Sequence, residues 1–226
     1  HHLVFGRKAI VKNEGLILDL PLQNNFTDTT GKNTMIAGGT SNLPTFTLEG
    51  GEYAATFNGS QSLKTNSNFV IGTDKVSISF WIKTSQTATA MIAELGTDTN
   101  SNNSFISSIN DTLANRVSIT DHNISGYNIG NSAININDNN WHHVVLMINR
   151  SLVGNQQNKI YVDGILSYVQ NTTLQSDLNG NWALNPLFIG QRGGSQYGFN
   201  GQMKFLKIFN YPLSTTEITN LYNKTM

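Results

Sequence analysis

Two neighbouring segments constrain the fold most: NNWHHVVLMIN, residues 139–149, and KIYVDGILS, residues 159–167. In the second segment, apolar residues stand on both sides of the pair Asp163-Gly164. A two-residue Asp-Gly turn with positive φ at both positions is the strongest short-range signal of a β-hairpin. The first segment alternates along a strand that is apolar on both faces, which predicts a strand in the middle of a sheet. Together they indicate an all-β fold.

The rest of the chain repeats the two-residue period of a strand. Residues 75–84 place four apolar side chains on one face, while Trp81 lies with polar side chains on the other. Clusters of Gly, Asn, Asp and Ser separate such segments and act as turns. Many short strands at this spacing predict a β-sandwich of two antiparallel sheets, a jelly roll. The other predicted strands are residues 16–20, 53–57, 89–95, 104–109, 116–120, 127–136, 159–163, 165–170, 186–190 and 202–210.

A single short helix is predicted near the C-terminus, in PLSTTEITNLYN, residues 212–223. Ser214 is the expected N-cap, and Glu217 three residues later completes a capping box. Three side chains then share one face and are expected to dock on the sandwich: Ile218, Leu221 and Tyr222.

Length and composition limit the possible classes of protein. The chain has 226 residues, no Cys and a formal net charge of +0. We predict one sandwich domain over residues 14–226 and an N-terminal arm over residues 1–13, which either contacts a partner protein or is a frayed terminus. The sequence has no basic stripe of the kind that binds nucleic acid. It also has no run of 18 apolar residues of the kind that inserts into a membrane.

Five strings in order resemble the laminin-G-like, or concanavalin A-like lectin/glucanase, jelly-roll family. They are LILDLPLQNNFTDTTGKN at 16–33, YAATFNGSQSLKT at 53–65 with a hairpin expected at Asn58-Gly59, VSISFWIKT at 76–84, the pair of segments described above, and the closing segment that begins PLFIGQRGGS at 186. The resemblance implies a fold that carries binding surfaces, mostly without catalysis, outside the cell or on a cell or virion surface. The expected partner is a glycan or a glycosylated surface.

Sugar binding requires an exposed aromatic ring, which stacks on the C–H face of a pyranose, and polar side chains that bond its hydroxyls. Trp182 is expected to be the best exposed ring, because polar turn residues surround it. Trp81 could form the floor of a groove on a sheet. The remaining candidates are Tyr127, Gln191, Arg192, Tyr197 and Asn200. For each ring the alternative is a place in the core or at its rim, and Trp141 and Phe80 are assigned to the core.

A structural Ca²⁺ ion is a further expectation, since this cation prefers six to eight oxygen ligands. Asp28 and Asn33 stand in an Asp-x-x-Gly-x-Asn loop that the family resemblance makes a candidate site. Asp98 begins a segment similar to the first half of a calcium loop. The alternative for both is an Asx-turn, in which the side chain bonds its own backbone.

Catalysis is not expected. A glucanase of this superfamily needs closely spaced carboxylates on one strand, and no Glu of this chain lies two residues from an Asp or another Glu. His142 and His143 are adjacent on a strand, so they point to opposite faces and cannot both ligate one metal. Three functions remain open: a glycan-binding module, a structural or assembly subunit that uses the sandwich for protein contacts, and, with least support, a glycoside hydrolase.

Overall fold

The structure is a computed structural model that describes residues 15–40, 42–96, 103–123, 126–152, 156–170 and 180–224. Within these ranges the chain forms fifteen strands and one helix. They are β1 (Leu16–Leu20), β2 (Met35–Ala37), β3 (Thr45–Glu49), β4 (Glu52–Asn58), β5 (Leu63–Thr65), β6 (Lys75–Lys83), β7 (Ala90–Leu95), β8 (Ser104–Ile109), β9 (Val117–Asn123), β10 (Gly126–Asn131), β11 (His142–Asn149), β12 (Asn158–Val162), β13 (Ile165–Val169), β14 (Leu187–Ile189), β15 (Asn200–Phe209) and α1 (Thr215–Tyr222).

The strands form two antiparallel sheets, as the sequence predicts. Sheet I has the order β13-β12-β11-β6-β15-β4-β3, and sheet II has the order β10-β9-β8-β7-β14-β5-β2. The long strand β15 lies along β6 on one side. On its other side its first half pairs with β4 and its second half with β1. The first and last strands of the sandwich are therefore neighbours, although they are far apart in the sequence.

The core lies between the two sheets and follows the two-residue period. Ile78 and Phe80 of β6 and Leu146 of β11 belong to one buried cluster with Ile92 of β7 and Phe105 of β8. Each is fully buried. Burial of one such side chain stabilises a fold by about 1.5–3 kcal/mol, so this layer supplies the main driving force for folding.

The helix packs on the outer face of sheet I, which explains why β11 is apolar on both faces. Val145 and Met147 of that strand are buried against Ile218 and Leu221 of α1. The capping box forms as predicted: the Ser214 hydroxyl accepts from the Glu217 backbone N–H, and the Glu217 carboxylate accepts from the Ser214 N–H at 2.8 Å. No helix of the described residues is long and apolar enough to cross a membrane.

The two predicted hairpins have different outcomes. Asp163 has φ 52° and Gly164 has φ 78°, and β12 pairs with β13 across them, so this hairpin is confirmed. Asn58-Gly59 does not close a hairpin, because β4 belongs to sheet I and β5 to sheet II. The chain crosses between the sheets there, with Phe57 and Leu63 both in the common core. A turn signal specifies a bend, but the burial of flanking side chains decides which sheet follows.

Three strands were not predicted, and one core assignment is wrong. The three, β2, β3 and β5, are short, and β3 is mostly exposed. Phe80 is buried as expected. Trp141 is only partly buried. The Lys204 ammonium lies 4.3 Å from the centre of its ring.

The β12–β13 hairpin is tied to β11 through His142. Its Nδ1 lies 2.8 Å from Asp163 Oδ2, and its Nε2 lies 3.1 Å from Asp138 Oδ1. Burial disfavours the charged imidazole, but the hydrogen bonds that its N–H groups donate to both carboxylates, together with the charges of these carboxylates, outweigh burial and raise the pKa of His142 above 6.5. The adjacent His143 points to the other face, as predicted for successive strand residues, and its Nε2 lies 2.9 Å from Ser79 Oγ.

This raised pKa predicts a pH-dependent stability. The contribution of His142 is fully present below its unfolded pKa and is lost as the pH rises through the folded pKa. We expect the His142→Gln variant to lose this component, so that its free energy of unfolding falls less than that of the wild type between pH 5.5 and pH 8. Urea unfolding at both pH values measures the difference. An equal fall in both proteins would contradict the assignment.

Candidate functional site

Several polar and aromatic side chains meet on the outer face of sheet II, the sheet that does not carry the helix. Ala93 and Leu95 of β7 point into the core, so Glu94 between them points outward. On β9, Val117 and Ile119 are core residues, and by alternation His122 lies on the outer face. We call this surface the recognition face and define it by Glu94, His122, Tyr127, Arg192 and Tyr197.

An ion pair lies at the centre of the recognition face. Arg192 Nε donates to both oxygens of Glu94, at 3.0 and 2.9 Å. The Glu94 side chain is only 1% exposed. Burial raises the pKa of Glu94, and the hydrogen bonds and charge of Arg192 oppose that rise. The ionised pair is neutral as a unit. Arg192 Nη2 lies 4.0 Å from Met91 Sδ, and the third guanidinium nitrogen, Nη1, has no hydrogen-bond partner among the described residues. It can therefore donate to a ligand.

A tight turn after β14 holds Arg192 in place. The Arg192 N–H donates to the Gln196 carbonyl at 2.9 Å, and the Gln196 N–H donates back at 3.1 Å. Gly194 inside this turn has φ 76°, and a Cβ there would lie 2.5 Å from the carbonyl carbon of Gly38. The loop can pack this closely on the neighbouring backbone only because glycine has no side chain.

Two exposed rings lie on the same face as the ion pair. Tyr127 of β10 is 54% exposed, and its ring is parallel to that of His122 with centroids 6.2 Å apart. Tyr197 is 47% exposed, and the Arg192 guanidinium carbon lies 5.3 Å from the centre of its ring. Burial, followed by the charges of Arg192 and Arg150, lowers the pKa of His122. The imidazole is therefore neutral at neutral pH, and the face offers uncharged rings beside hydrogen-bonding groups.

The structure places three of the seven predicted binding residues on one face of sheet II: Tyr127, Arg192 and Tyr197. Gln191 is buried, and its side chain donates to the Gly59 carbonyl at 3.2 Å. Asn200 lines a separate polar groove of about 620 Å³ at the end of the sandwich. Trp81 lies on the outer face of sheet I, where it lines a different cavity. The predicted set therefore does not form one site.

Trp182 is not the exposed ring that the sequence suggests. It is 7% exposed and belongs to the core cluster. Its ring meets Phe105 edge-on at 5.5 Å, and the Arg150 guanidinium carbon lies 3.7 Å from its centre. The prediction from the polar turn residues was wrong, because these neighbours do not decide where the ring lies. The flat surface of the buried Arg150 guanidinium attracts the Trp182 ring into the core.

Glu94 and His122 were not selected from the sequence as binding residues. Glu94 is the one carboxylate in the apolar segment AMIAEL, residues 90–95. A charged side chain in such a segment needs a partner when it is buried, which is the signal that could have identified it. His122 carries no comparable signal, because its role depends on Tyr127 lying directly across the strand pair.

The loop around Asp28 does not fit a calcium site. The Asp28 carboxylate accepts hydrogen bonds from the backbone N–H groups of Asp19, Thr30 and Asn33, at 2.9–3.0 Å, and from two side chains. The Asn33 amide nitrogen donates to it at 2.8 Å. Donors thus occupy the lone pairs that a cation would need. Calcium stays a prediction for Asp98 alone, which lies outside the described residues.

Among the described residues, no group of three His, Cys, Asp or Glu side chains could hold a metal ion. The predicted N-terminal arm also lies outside the described ranges, and its contact with a partner stays a prediction.

Comparison with known proteins agrees with this architecture. A family model described as the concanavalin A-like lectin/glucanases superfamily matches residues 57–219. No curated protein sequence matches the chain.

Among solved structures, domain 4 of a GH43 extracellular arabinanase from Geobacillus stearothermophilus, in complex with arabinotriose, superposes with a TM-score of 0.71 and 18% identity, covering 92% of this chain and 98% of that one. Botulinum neurotoxin type C, whose cell entry depends on interaction with two ganglioside molecules, gives a TM-score of 0.66 and 19% identity, covering 95% of this chain and 52% of that one. The binding domain of botulinum neurotoxin DC in complex with rat synaptotagmin II gives 0.67 and 20%, covering 95% and 52%. This chain thus spans about half the length of the toxin structures, and at these identities the likeness shows the fold alone.

Proposed function

This chain belongs to the concanavalin A-like lectin/glucanases superfamily, and from that premise we propose that it is a non-catalytic glycan-binding module. The recognition face is its binding surface, and the module works outside the cell or on a cell surface. The observation that carries the proposal is the exposed, parallel stack of Tyr127 on His122, on the same face of sheet II as the Arg192–Glu94 pair. The complex of the arabinanase domain with arabinotriose supports a glycan as the ligand.

The chemistry of the face suits neutral sugars. Arg192 and Glu94 cancel each other's charge, so the face offers oriented hydrogen-bond donors without a net attraction for anions. Sugar hydroxyls can accept from the free guanidinium N–H and exchange hydrogen bonds with the neutral His122 ring. The exposed face of Tyr127 offers a flat apolar surface for the C–H groups of a pyranose or furanose ring.

The absence of catalysis is also part of the proposal. A glycosidase uses two carboxyl groups on either side of the scissile bond, one of which must transfer a proton. Both oxygens of Glu94 already accept from Arg192, and the carboxylate is buried beneath the face. This arrangement supports Glu94 as a positioning group for Arg192.

The Tyr127→Ala variant tests the site. We expect it to bind the best ligand from a glycan array about five- to twelvefold more weakly, because loss of a stacked ring costs about 1–1.5 kcal/mol. Calorimetric titration of the purified variant measures this change. Tyr222→Ala is the matched control, since that tyrosine is 38% exposed on the other side of the sandwich. We expect it to bind the glycan like the wild type.

Equal losses of glycan affinity in the two tyrosine variants would show that the recognition face is not the binding site. An array without any hit would count against the glycan-binding function itself. Repeating the array with EDTA tests the separate expectation of calcium, because chelation would abolish binding only if the metal is required.

A further inference from the structure

A cavity of about 370 Å³ lies on the side of the molecule opposite the recognition face, where the end of α1 crosses the outer face of sheet I. The apolar part of its wall consists mainly of Trp81, Phe205 and Leu221, and two ammonium groups stand at its edge, those of Lys207 and Lys224. We call it the Trp81 cavity. Its volume is within the range of about 300–1,000 Å³ that is typical of small-molecule sites.

The aromatic wall is built by a bulge and by the helix. The register of β15 against β6 shifts between Lys204 and Lys207, and Phe205 within this shift has φ 54°. The bulge re-aims Phe205 into the cavity wall, which is a common role of bulges at sites. Tyr222 of α1 stacks on Trp81 with centroids 5.8 Å apart and ring planes 13° apart. The rings are therefore fixed before any ligand arrives.

Three lysines and two carboxylates form ion pairs at or beside the cavity. Lys204 and Lys224 both bond Glu52, at 2.7 and 2.8 Å, and Lys207 lies 2.8 Å from Asp19. Among the ion pairs of the described residues, Glu52 is therefore shared by two ammonium groups, whereas Asp19 holds that of Lys207.

Lys224 is the cation that can turn towards a ligand. Its side chain is 40% exposed, whereas those of Lys204 and Lys207 are 9% and 19% exposed. If Lys224 leaves Glu52, that carboxylate keeps its bond to Lys204. The Lys224 ammonium already lies 5.4 Å from the ring centres of both Trp81 and Phe205. A group bonded to it would therefore lie beside both rings.

The floor of the cavity is polar and uncharged. His143 is 1% exposed, and its Nε2 is bonded to Ser79 Oγ. Burial lowers the pKa of His143 to about 4, so the ring is neutral at neutral pH. The cations that line the cavity are therefore the two lysines at its rim.

We propose that the Trp81 cavity is a second ligand site, which takes a compact molecule with one negative charge and a flat apolar ring, an aromatic carboxylate in its simplest form. The Lys224 ammonium matches one carboxylate, and the Trp81–Phe205 wall matches the ring. A neutral sugar would form no ion pair with Lys224. The site is independent of the recognition face, because the two lie on different sheets.

Phenylacetate is the probe, and its uncharged isostere phenylacetamide is the matched ligand control. We expect phenylacetate to shift the indole N–H resonance of Trp81 saturably in ¹H–¹⁵N spectra, with a dissociation constant in the millimolar range. Lys224→Gln is expected to weaken binding about fivefold, which corresponds to loss of one partly exposed ion pair. In the Trp81→Phe variant the indole resonance of Trp81 disappears, which assigns it. The smaller ring shortens the cavity wall, so we expect weaker phenylacetate binding, which calorimetry measures.

The matched protein control is Lys64→Gln. Lys64 also lies over an aromatic ring, 5.9 Å from the centre of Phe188, but on sheet II. The Lys64→Gln variant should bind phenylacetate like the wild type. The Tyr127→Ala variant should do so too, whether or not its glycan binding changes. Equal affinity for phenylacetamide, an equal effect of Lys64→Gln and Lys224→Gln, or the absence of a saturable shift would each overturn the proposal.

Discussion

Replacing Arg150 with methionine is expected to destabilise the protein by about 3–5 kcal/mol, because it leaves Asp121 as a buried carboxylate without its cation. Both side chains are fully buried. The guanidinium donates to Asp121 Oδ1 at 3.0 and 2.6 Å and to the carbonyls of His122 and Gly180, each at 3.1 Å. Trp182 covers its flat surface. All these contacts disappear together.

Thermal and urea unfolding measure this loss. For a domain of this size, 3–5 kcal/mol lowers Tm by roughly 6–20 °C. Burial raises the pKa of Asp121, with the hydrogen bonds and charge of Arg150 opposing it. Without Arg150 the carboxyl group binds a proton more readily when folded than when unfolded, so the deficit should shrink as the pH falls.

Two variants control this experiment. Arg116→Met removes an arginine that bonds a carbonyl at the surface and should cost less than about 1 kcal/mol. Arg150→Met combined with Asp121→Leu replaces both charges by apolar groups and should recover part of the stability. A double variant as unstable as the sum of its single changes would show that the ion pair is not the origin of the loss.

The Arg192→Met variant is expected to lose about 2–3 kcal/mol at pH 7, because Glu94 keeps its burial but loses its charged hydrogen-bond partner. The pKa of Glu94 is raised even with Arg192 present and will rise further without it. The native state of the variant therefore binds a proton at a pH where the unfolded chain does not, and its stability increases as the pH falls. Urea unfolding at pH 7 and pH 5 measures both effects.

The controls separate the ion pair from the rest of the recognition face. Glu94→Gln in the Arg192→Met background removes the buried charge and should suppress the pH dependence. Tyr197→Ala removes a ring that contacts Arg192 but leaves the ion pair intact, so it should change stability by less than about 1 kcal/mol. A loss in Arg192→Met that does not change with pH would contradict this account of Glu94.

Side-chain alternation made most of the strands predictable. In β6, four apolar residues on one face can be buried only if the segment is extended, so its boundaries and its inner face followed from the sequence. The capping box of α1 was predictable for a similar reason, since Ser214 and Glu217 satisfy backbone groups within four residues of each other. The short strands β2, β3 and β5 were missed because they bury too little to leave a pattern.

The recognition face was only partly predictable. Arg192 and Tyr197 stand in one short loop, so their proximity followed from the sequence. Tyr127 lies on the same face only because it pairs with His122 across β9 and β10, and this pairing depends on strand register. Trp182 was assigned to the surface from its polar neighbours, but its position is set by Arg150, more than thirty residues away, which had to be buried with Asp121.

The sequence alone determined the fold class, most of the strands, the helix with its cap and the turn at Asp163-Gly164, because these depend on the burial of alternating side chains and on hydrogen bonds between near neighbours. Only the tertiary structure decided which polar side chains meet. The pairs Arg192–Glu94, Arg150–Asp121 and Lys224–Glu52 join residues from distant parts of the chain, and a charge takes its partner only after the sheets have packed. Strand order and register therefore placed the recognition face and the Trp81 cavity.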